Sequence, residues 1–497
     1  MQRLALVEPA MWLDPGTTCC DQRHDLIRSV IMSSSEAVAS SLGVQFADLR
    51  RREYSRLEDG RVVYLDYTGA GLYPESLVAR HAQLLASEVV GNPHSGNPTS
   101  VRSTALFERG RQHVLTFFDA PADEYTVIFT ANATHALKLV GESYPFGAGD
   151  RLLLTADNHN SVLGIREFAR RAGVSAEYVP ILPPDMRADE PAVLRALDAG
   201  GGDHRLFAYP AQSNFSGVQH PLEWIESAHA RGWDVLLDAA AFVPTNRLDL
   251  GRWRPDFVAL SFYKMFGYPT GVGALLARHS ALERLRRPWF AGGTITVASV
   301  QADRHYLAPG GTGFEDGTVN FLAVPAVDLG LSFAESVGVE AIHRHVQALA
   351  APLIEALLSP RHRNGRRVAV LYGPDRVERR GATLAFNFVD PEGEVIDPTL
   401  VERLAGVDGI SLRTGCFCNP GAGEAALGLS RAELEACFRR NAERMSYDEF
   451  RRCLAGNGSG AVRVSLGLAS NRADVEAMAV FARRFVDADH RALAGAA

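Results

Sequence analysis

Asp256-Phe257-Val258-Ala259-Leu260-Ser261-Phe262-Tyr263-Lys264, followed by Gly267-Tyr268-Pro269-Thr270-Gly271-Val272-Gly273, reads as an apolar strand that delivers a lysine to its carboxyl end and then turns on glycine. A short, uninterrupted apolar run fits a strand buried on both faces, as in a parallel sheet covered by helices. The carboxyl edge of such a sheet is where open α/β folds bind ligands. The lysine also stands out by rarity, because Lys138 and Lys264 are the only lysines among 51 basic side chains. Arginine has replaced lysine elsewhere, but it stays protonated and cannot do amine chemistry. A lysine retained at a ligand edge, between a serine and glycines, points to a Schiff base.

The surrounding chain repeats the pattern. Apolar runs at 126–130, 151–155, 206–209, 234–237, 257–260 and 273–277 alternate with helical stretches at 134–143, 162–172 and 222–231. Such alternation predicts an α/β fold with a mainly parallel sheet. Beyond residue 323 the pattern changes. One long helical segment, about 323–358, leads to strands at 368–372 and 383–388, a Cys-Phe-Cys loop, a strand at 461–466 and a closing helix. That predicts an extension at 1–45, a large domain at 46–325 and a smaller α+β domain at 326–497. A polar, helical insertion at 429–457 interrupts the last. Met32 is an alternative start.

The 497 residues carry a net charge of −7 and scattered arginines, which gives no basis for nucleic-acid binding. No run approaches the roughly 18 apolar residues of a membrane helix, and the start lacks a signal-peptide pattern. A cytoplasmic protein is expected. Cys19, Cys20, Cys416, Cys418, Cys437 and Cys453 are read as thiols, because a chain this long does not use six cysteines as a disulfide framework. Cys416 and Cys418 are too close in sequence for a zinc knuckle, and no metal site is expected.

Several residues at strand ends suit pyridoxal 5'-phosphate (PLP), the cofactor that takes a lysine Schiff base. Asp238 closes Trp233-Asp234-Val235-Leu236-Leu237-Asp238. There it can keep a pyridine nitrogen protonated or simply cap a helix. Thr130-Ala131-Asn132-Ala133-Thr134-His135 follows a strand and opens a helix, where N–H groups and the Thr134 hydroxyl can seat a phosphate. Ser261 can add a second hydroxyl. His159 can stack on a cofactor ring or be an ordinary loop histidine. Asn214, in Gln212-Ser213-Asn214-Phe215-Ser216-Gly217, can bond a phenolic oxygen or shape a turn. Cys418 sits in Arg413-Thr414-Gly415-Cys416-Phe417-Cys418-Asn419-Pro420-Gly421, a Gly/Asn/Pro loop that exposes a thiol for reaction. Arg463 interrupts an apolar strand and needs an anion, either a substrate carboxylate or an internal acid.

Together with Tyr64-Leu65-Asp66-Tyr67-Thr68-Gly69-Ala70-Gly71 and Phe314-Glu315-Asp316-Gly317-Thr318, the Lys264 and Cys418 segments resemble class V aminotransferase-like enzymes. Within that family the likeness is to cysteine desulfurases, above all the desulfurase-like amino-terminal domain of molybdenum cofactor sulfurases. It runs from about 60 to 485. It implies a fold type I PLP-dependent transferase with a seven-stranded, mainly parallel sheet and a smaller carboxyl-terminal domain.

The resemblance also implies roles. Lys264 holds PLP, Asp238 its ring nitrogen and His159 its face. Thr134 and Ser261 bind the phosphate, with Thr318 supplied across a homodimer, and His135 is a further cofactor-binding residue. Cys418 becomes the persulfide, Arg463 anchors the carboxylate, and Arg413 lines the pocket. The implied reaction turns L-cysteine into L-alanine and passes sulfur to a protein or small-molecule acceptor. Rival readings are a C–S lyase, a selenocysteine lyase or an epimerase on another amino acid, a silent PLP-binding scaffold, or a sulfur carrier without PLP. Three departures stand out. The glutamine common three residues after the ring aspartate is Ala241, and the histidine common before the lysine is Tyr263. A counterpart of the further acceptor-side domain of higher-organism sulfurases is not expected in this sequence.

Overall fold

Alternate residues of the central strands pack on opposite sides. Phe207, Val235, Leu237, Val258 and Leu260 belong to one core cluster, and Leu206, Ala208, Leu236, Phe257 and Ala259 to another. A strand can be apolar throughout only if both faces are covered, because successive side chains point opposite ways. The computed structural model describes residues 43–93, 95–440, 444–454 and 460–488. Met32, Cys19 and Cys20 lie outside them. Phe46–Ala497 forms one compact unit, distinct from Met1–Gln45.

The main sheet contains β1 Tyr125–Thr130, β2 Arg151–Thr155, β3 Ala176–Val179, β4 Arg205–Pro210, β5 Asp234–Asp238, β6 Phe257–Ser261 and β7 Gly273–Arg278. Their order is β1-β7-β6-β5-β4-β2-β3. The pairings from β6 to β3 are all parallel. Only β7 runs antiparallel to both neighbours, β1 and β6. Of these strands, β3 had no apolar run to announce it, since only Val179 of Ala176-Glu177-Tyr178-Val179 is buried. It is a sheet edge.

A second, antiparallel sheet is formed by β8 Ala369–Tyr372, β9 Thr383–Phe388, β10 Arg413–Gly415 and β11 Ala461–Ser465, in the order β8-β9-β11-β10. The predicted helix at 323–358 is two helices, Val324–Val337 and Val339–Leu358. Gly338, at φ 88°, breaks it. Gly164 likewise divides the stretch expected at 162–172 into Asn160–Leu163 and Ile165–Arg171.

The insertion carries helices Arg431–Arg440 and Tyr447–Cys453. Its residues 441–443 and 455–457 lie outside the described ones. Here the thiol expectation is corrected, because Cys437 and Cys453 form a disulfide with Cα atoms 5.8 Å apart. The sequence concealed this pairing. The two cysteines lie 16 residues apart in different helices, and a polar tract does not advertise that they meet. Among the described residues, no helix is long and apolar enough to cross a membrane, and no three His, Cys, Asp or Glu side chains are grouped to hold a metal ion.

Candidate functional site

Asp238 is the last residue of β5 and pairs in register with Ala259 of β6. Just beyond the end of β6, Lys264 lies in the one-turn helix Phe262–Phe266. Both line a cavity of about 260 Å³ at the carboxyl edge of the sheet, together with Thr134, His159, Asn214 and Ser261. Six residues singled out in the sequence are thus brought around one space. Burial holds the Lys264 ammonium below the ordinary lysine range, against the opposing pull of Asp238. Asp238 is itself buried, and its Oδ1 accepts from the Ala240 N–H at 3.0 Å.

His159 is the N-cap of Asn160–Leu163, and its Nδ1 accepts from the Ser161 N–H at 3.1 Å. An accepting Nδ1 leaves the proton on Nε2 of the neutral ring. Burial favours that neutral form by lowering the pKa, with Asp238 opposing.

Helix Ala133–Ser143 begins at the cavity and is capped by Asn132, whose side chain accepts from the His135 N–H. Ser261 Oγ accepts from the Ala133 N–H at 2.8 Å, so its own hydroxyl proton is available to a ligand. Thr134 Oγ1 lies 2.7 Å from Ser161 Oγ. His135 does not line the cavity; its Nε2 is 3.6 Å from Asp316. Thr318 is exposed and lies outside this chain's cavity lining.

Asn214 faces the cavity, but its amide is joined to the cysteine loop. Nδ2 donates to Phe417 O at 2.7 Å, and Oδ1 accepts from Asn419 at 2.9 Å. Near the Ala241 departure, Gln212 lines the cavity and donates to the Ala241 carbonyl at 2.9 Å. Its location between strand end and turn gave no sequence signal for this role. Tyr263 also lines the cavity.

The cysteine loop leads from β10 into helix Pro420–Ala426. Cys418 is exposed and Cys416 half-buried. Phe417 and Cys418 have φ of 55° and 56°. Two consecutive non-glycine residues in the left-handed region are strained and need outside anchors. Asn419 provides one by donating to Asp157 O at 2.7 Å. Lys264 and Arg463 both lie within electrostatic reach of the Cys418 thiol.

The anion that Arg463 required is Asp66, a residue to which the sequence reading gave no role. Arg463 Nη2 donates to Asp66 Oδ1 at 3.0 Å, and Nη1 to Asn214 O at 2.9 Å. Arg413 Nε and Nη2 donate to Asp66 Oδ2 at 3.0 and 2.6 Å. Arg413 is thereby held by the carboxylate between the two arginines. The signal available in the sequence was Asp66 itself, a lone acid among apolar and small residues just before a Thr-Gly turn.

This sheet order, with a half-buried lysine at the ligand edge, is the fold type I architecture. The chain belongs to the aminotransferase class-V family, whose model matches residues 63–478. It is 38% identical over 458 residues to the molybdenum cofactor sulfurase of Solanum lycopersicum, covering 86% of this chain and 55% of that protein. The Homo sapiens molybdenum cofactor sulfurase is 38% identical over 456 residues, covering 87% and 50%. The chain spans about half the length of these curated relatives. Among solved structures, the apo cysteine desulfurase of Thermococcus onnurineus matches with a TM-score of 0.72 at 23% identity, covering 88% of this chain and 98% of that one. An Escherichia coli cysteine desulfurase in its S-sulfonic acid form matches at 0.70 and 22%, covering 88% and 98%.

Proposed function

We propose that this chain is a PLP-dependent cysteine desulfurase that converts L-cysteine to L-alanine and holds the sulfur as a persulfide on Cys418. The observation that carries the reading is one cavity lined by Lys264 and Asp238, with an exposed thiol in electrostatic reach of the amine.

The donor set suits PLP. Asp238 would hold the ring nitrogen and Lys264 the aldehyde carbon. His159 would take the ring face. Thr134, Ser261 and the N-terminus of Ala133–Ser143 would hold the phosphate, joined by Thr318 of the partner in a homodimer. Once bound, PLP supplies an electron sink that eases loss of a proton from the substrate α-carbon.

The chain's own groups do the rest. Arg463 and Arg413 orient the substrate carboxylate. Lys264 Nζ, whose pKa burial lowers, takes the α-proton as a general base. Cys418 Sγ attacks the substrate sulfur as a thiolate. The carbon–sulfur bond breaks and its electron pair passes to the β-carbon, which takes up a proton; Lys264 Nζ then returns a proton to the α-carbon, which completes alanine. The sulfur stays on Cys418 until a thiol reductant or an acceptor removes it. The similarity to molybdenum cofactor sulfurases supports a sulfur-donor role toward a protein or small-molecule acceptor.

The test is a visible spectrum of the purified protein, followed by L-cysteine and parallel assays of alanine and sulfide under reductant. Alanine formed in step with sulfide is expected. A cofactor band without alanine from cysteine would discard desulfuration and turn attention to other amino acids. No band after adding PLP would remove the reading.

A further inference from the structure

Arg413 and Arg463 are direct cross-strand partners in the pairing of β10 with β11. Like charges placed opposite each other repel, so this register needs a counter-ion. Asp66 is that counter-ion. Its backbone bridges in parallel to Ser465, two residues beyond Arg463, which sets its carboxylate between both guanidinium groups.

The local chain is shaped around this arrangement. A Cβ on Gly69 would lie 2.5 Å from Asp66 Oδ2 and 2.8 Å from Arg413 Nη2. The same turn then runs against the lysine segment, where the Gly71 N–H donates to Tyr263 O at 3.0 Å. Charge is not fully cancelled: two guanidinium groups and one carboxylate leave a net +1. Arg463 Nε is also buried without a hydrogen-bond partner, the kind of orphan donor that a bound ligand satisfies. Both arginines act electrostatically on Lys264, so the residual charge is felt at the cavity.

We propose that Asp66 is a specificity-determining residue that sets the charge of the substrate seat at +1. The seat is thereby matched to an α-amino acid with one carboxylate and an uncharged side chain, and dicarboxylates are rejected. This rests on the proposed reading for the place of the seat at the two arginines and for the identity of the favoured amino acid. Asp66 acts through the arginines and by repelling a second anion, a means of selecting against the wrong partner.

The test uses the PLP-loaded full chain and compares binding of L-alanine and L-aspartate by calorimetry, alongside kcat and KM for L-cysteine. Asp66→Asn, with a seat of +2, is expected to shift the aspartate-to-alanine affinity ratio at least tenfold toward aspartate. Arg413→Gln, with a neutral seat, is expected to raise KM for cysteine about tenfold and to weaken both ligands. The double variant returns the seat to +1 and should restore the native preference for alanine.

A merely structural Asp66 would not give that restoration. An unchanged affinity ratio in Asp66→Asn, or a double variant no better than the singles, overturns the inference. So does a native protein that binds neither amino acid. Should Asp66→Asn fail to fold, Arg413→Gln decides alone, since an unchanged KM and unchanged ligand affinities would contradict the charge count. If the native protein binds alanine and the ratio switches, yet no alanine forms from cysteine, the desulfurase reading fails while the charge assignment stands.

Discussion

The backbone N–H of Asn160 donates to the carbonyl oxygen of Cys418 at 2.7 Å. The residue after His159 and the backbone that carries the exposed thiol therefore belong to one hydrogen-bonded unit, although 258 positions apart in sequence order. With Asn214 holding Phe417, and Asn419 holding Asp157, the loop is fixed through its backbone and neighbours. The sulfur of Cys418 takes no part in this anchoring.

That separation makes Cys418→Ser a clean test. The variant should keep the visible absorbance of the bound cofactor and the native melting temperature, while persulfide formation from L-cysteine falls below detection. Loss of the absorbance would assign Cys418 a structural role.

Removing an anchor should act differently. Asn419→Ala loses two buried amide donations and the cap that accepts from the Ala422 N–H. Buried hydrogen bonds and caps contribute roughly 1 kcal/mol each, so a loss of about 2–3 kcal/mol is expected in urea unfolding. Alanine formation should fall as well, because the loop that presents Cys418 loosens.

Lysine chemistry offers a third measurement. Lys138 is exposed and paired with Glu142, whereas burial lowers the pKa of Lys264. Borohydride reduction after adding PLP should place one pyridoxyl phosphate group on the peptide containing Lys264 and none on Lys138, read by peptide mass spectrometry. Lys264→Ala should take up none.

A fourth concerns pH. His345 is buried, stacks on Phe46 with ring centroids 3.9 Å apart, and bonds Ser470 O through Nε2 at 2.8 Å. Burial lowers its pKa, with the Ser470 carbonyl opposing. The unfolded histidine, near about 6.5, therefore binds a proton at pH values where the folded one does not. Its contribution to stability is fully present above about pH 6.5 and is lost as pH falls from there through the folded-state value. In urea unfolding from pH 8 to pH 5, His345→Gln should show a shallower loss of stability than the native protein. An identical slope would remove His345 as a source of the pH dependence.

Much of this architecture was legible because buried parallel strands are apolar on both faces. That is why 257–260 and 234–237 pointed directly to β6 and β5, and why Lys264 and Asp238 stood out at their ends. The edge strand Ala176–Val179 has three residues that are not buried and could not be read the same way. The break at Gly338 was hidden by helical periodicity on either side of it. At the site, chemically rare residues were visible one by one, but their partners were not. Asp66 lies about 400 positions from Arg463, and only the bridge to Ser465 brings them together. Cys437 and Cys453 were missed for a related reason: a pairing made between two separate helices leaves no mark in composition.

The antiparallel strand β7 has a mechanical consequence for Lys264. Ser261, at the end of β6, is paired with Gly273, at the start of β7, so the chain leaves the sheet and re-enters it beside its own exit. Within that short excursion Tyr263 O is clasped by the N–H groups of both Gly71 and Gly267. The lysine is thus mounted on a stiff bracket, with the carbonyl just before it held from two sides. Any travel of the amine must come from rotation along its own methylene stem, and the arc of that stem sets the working radius of the site.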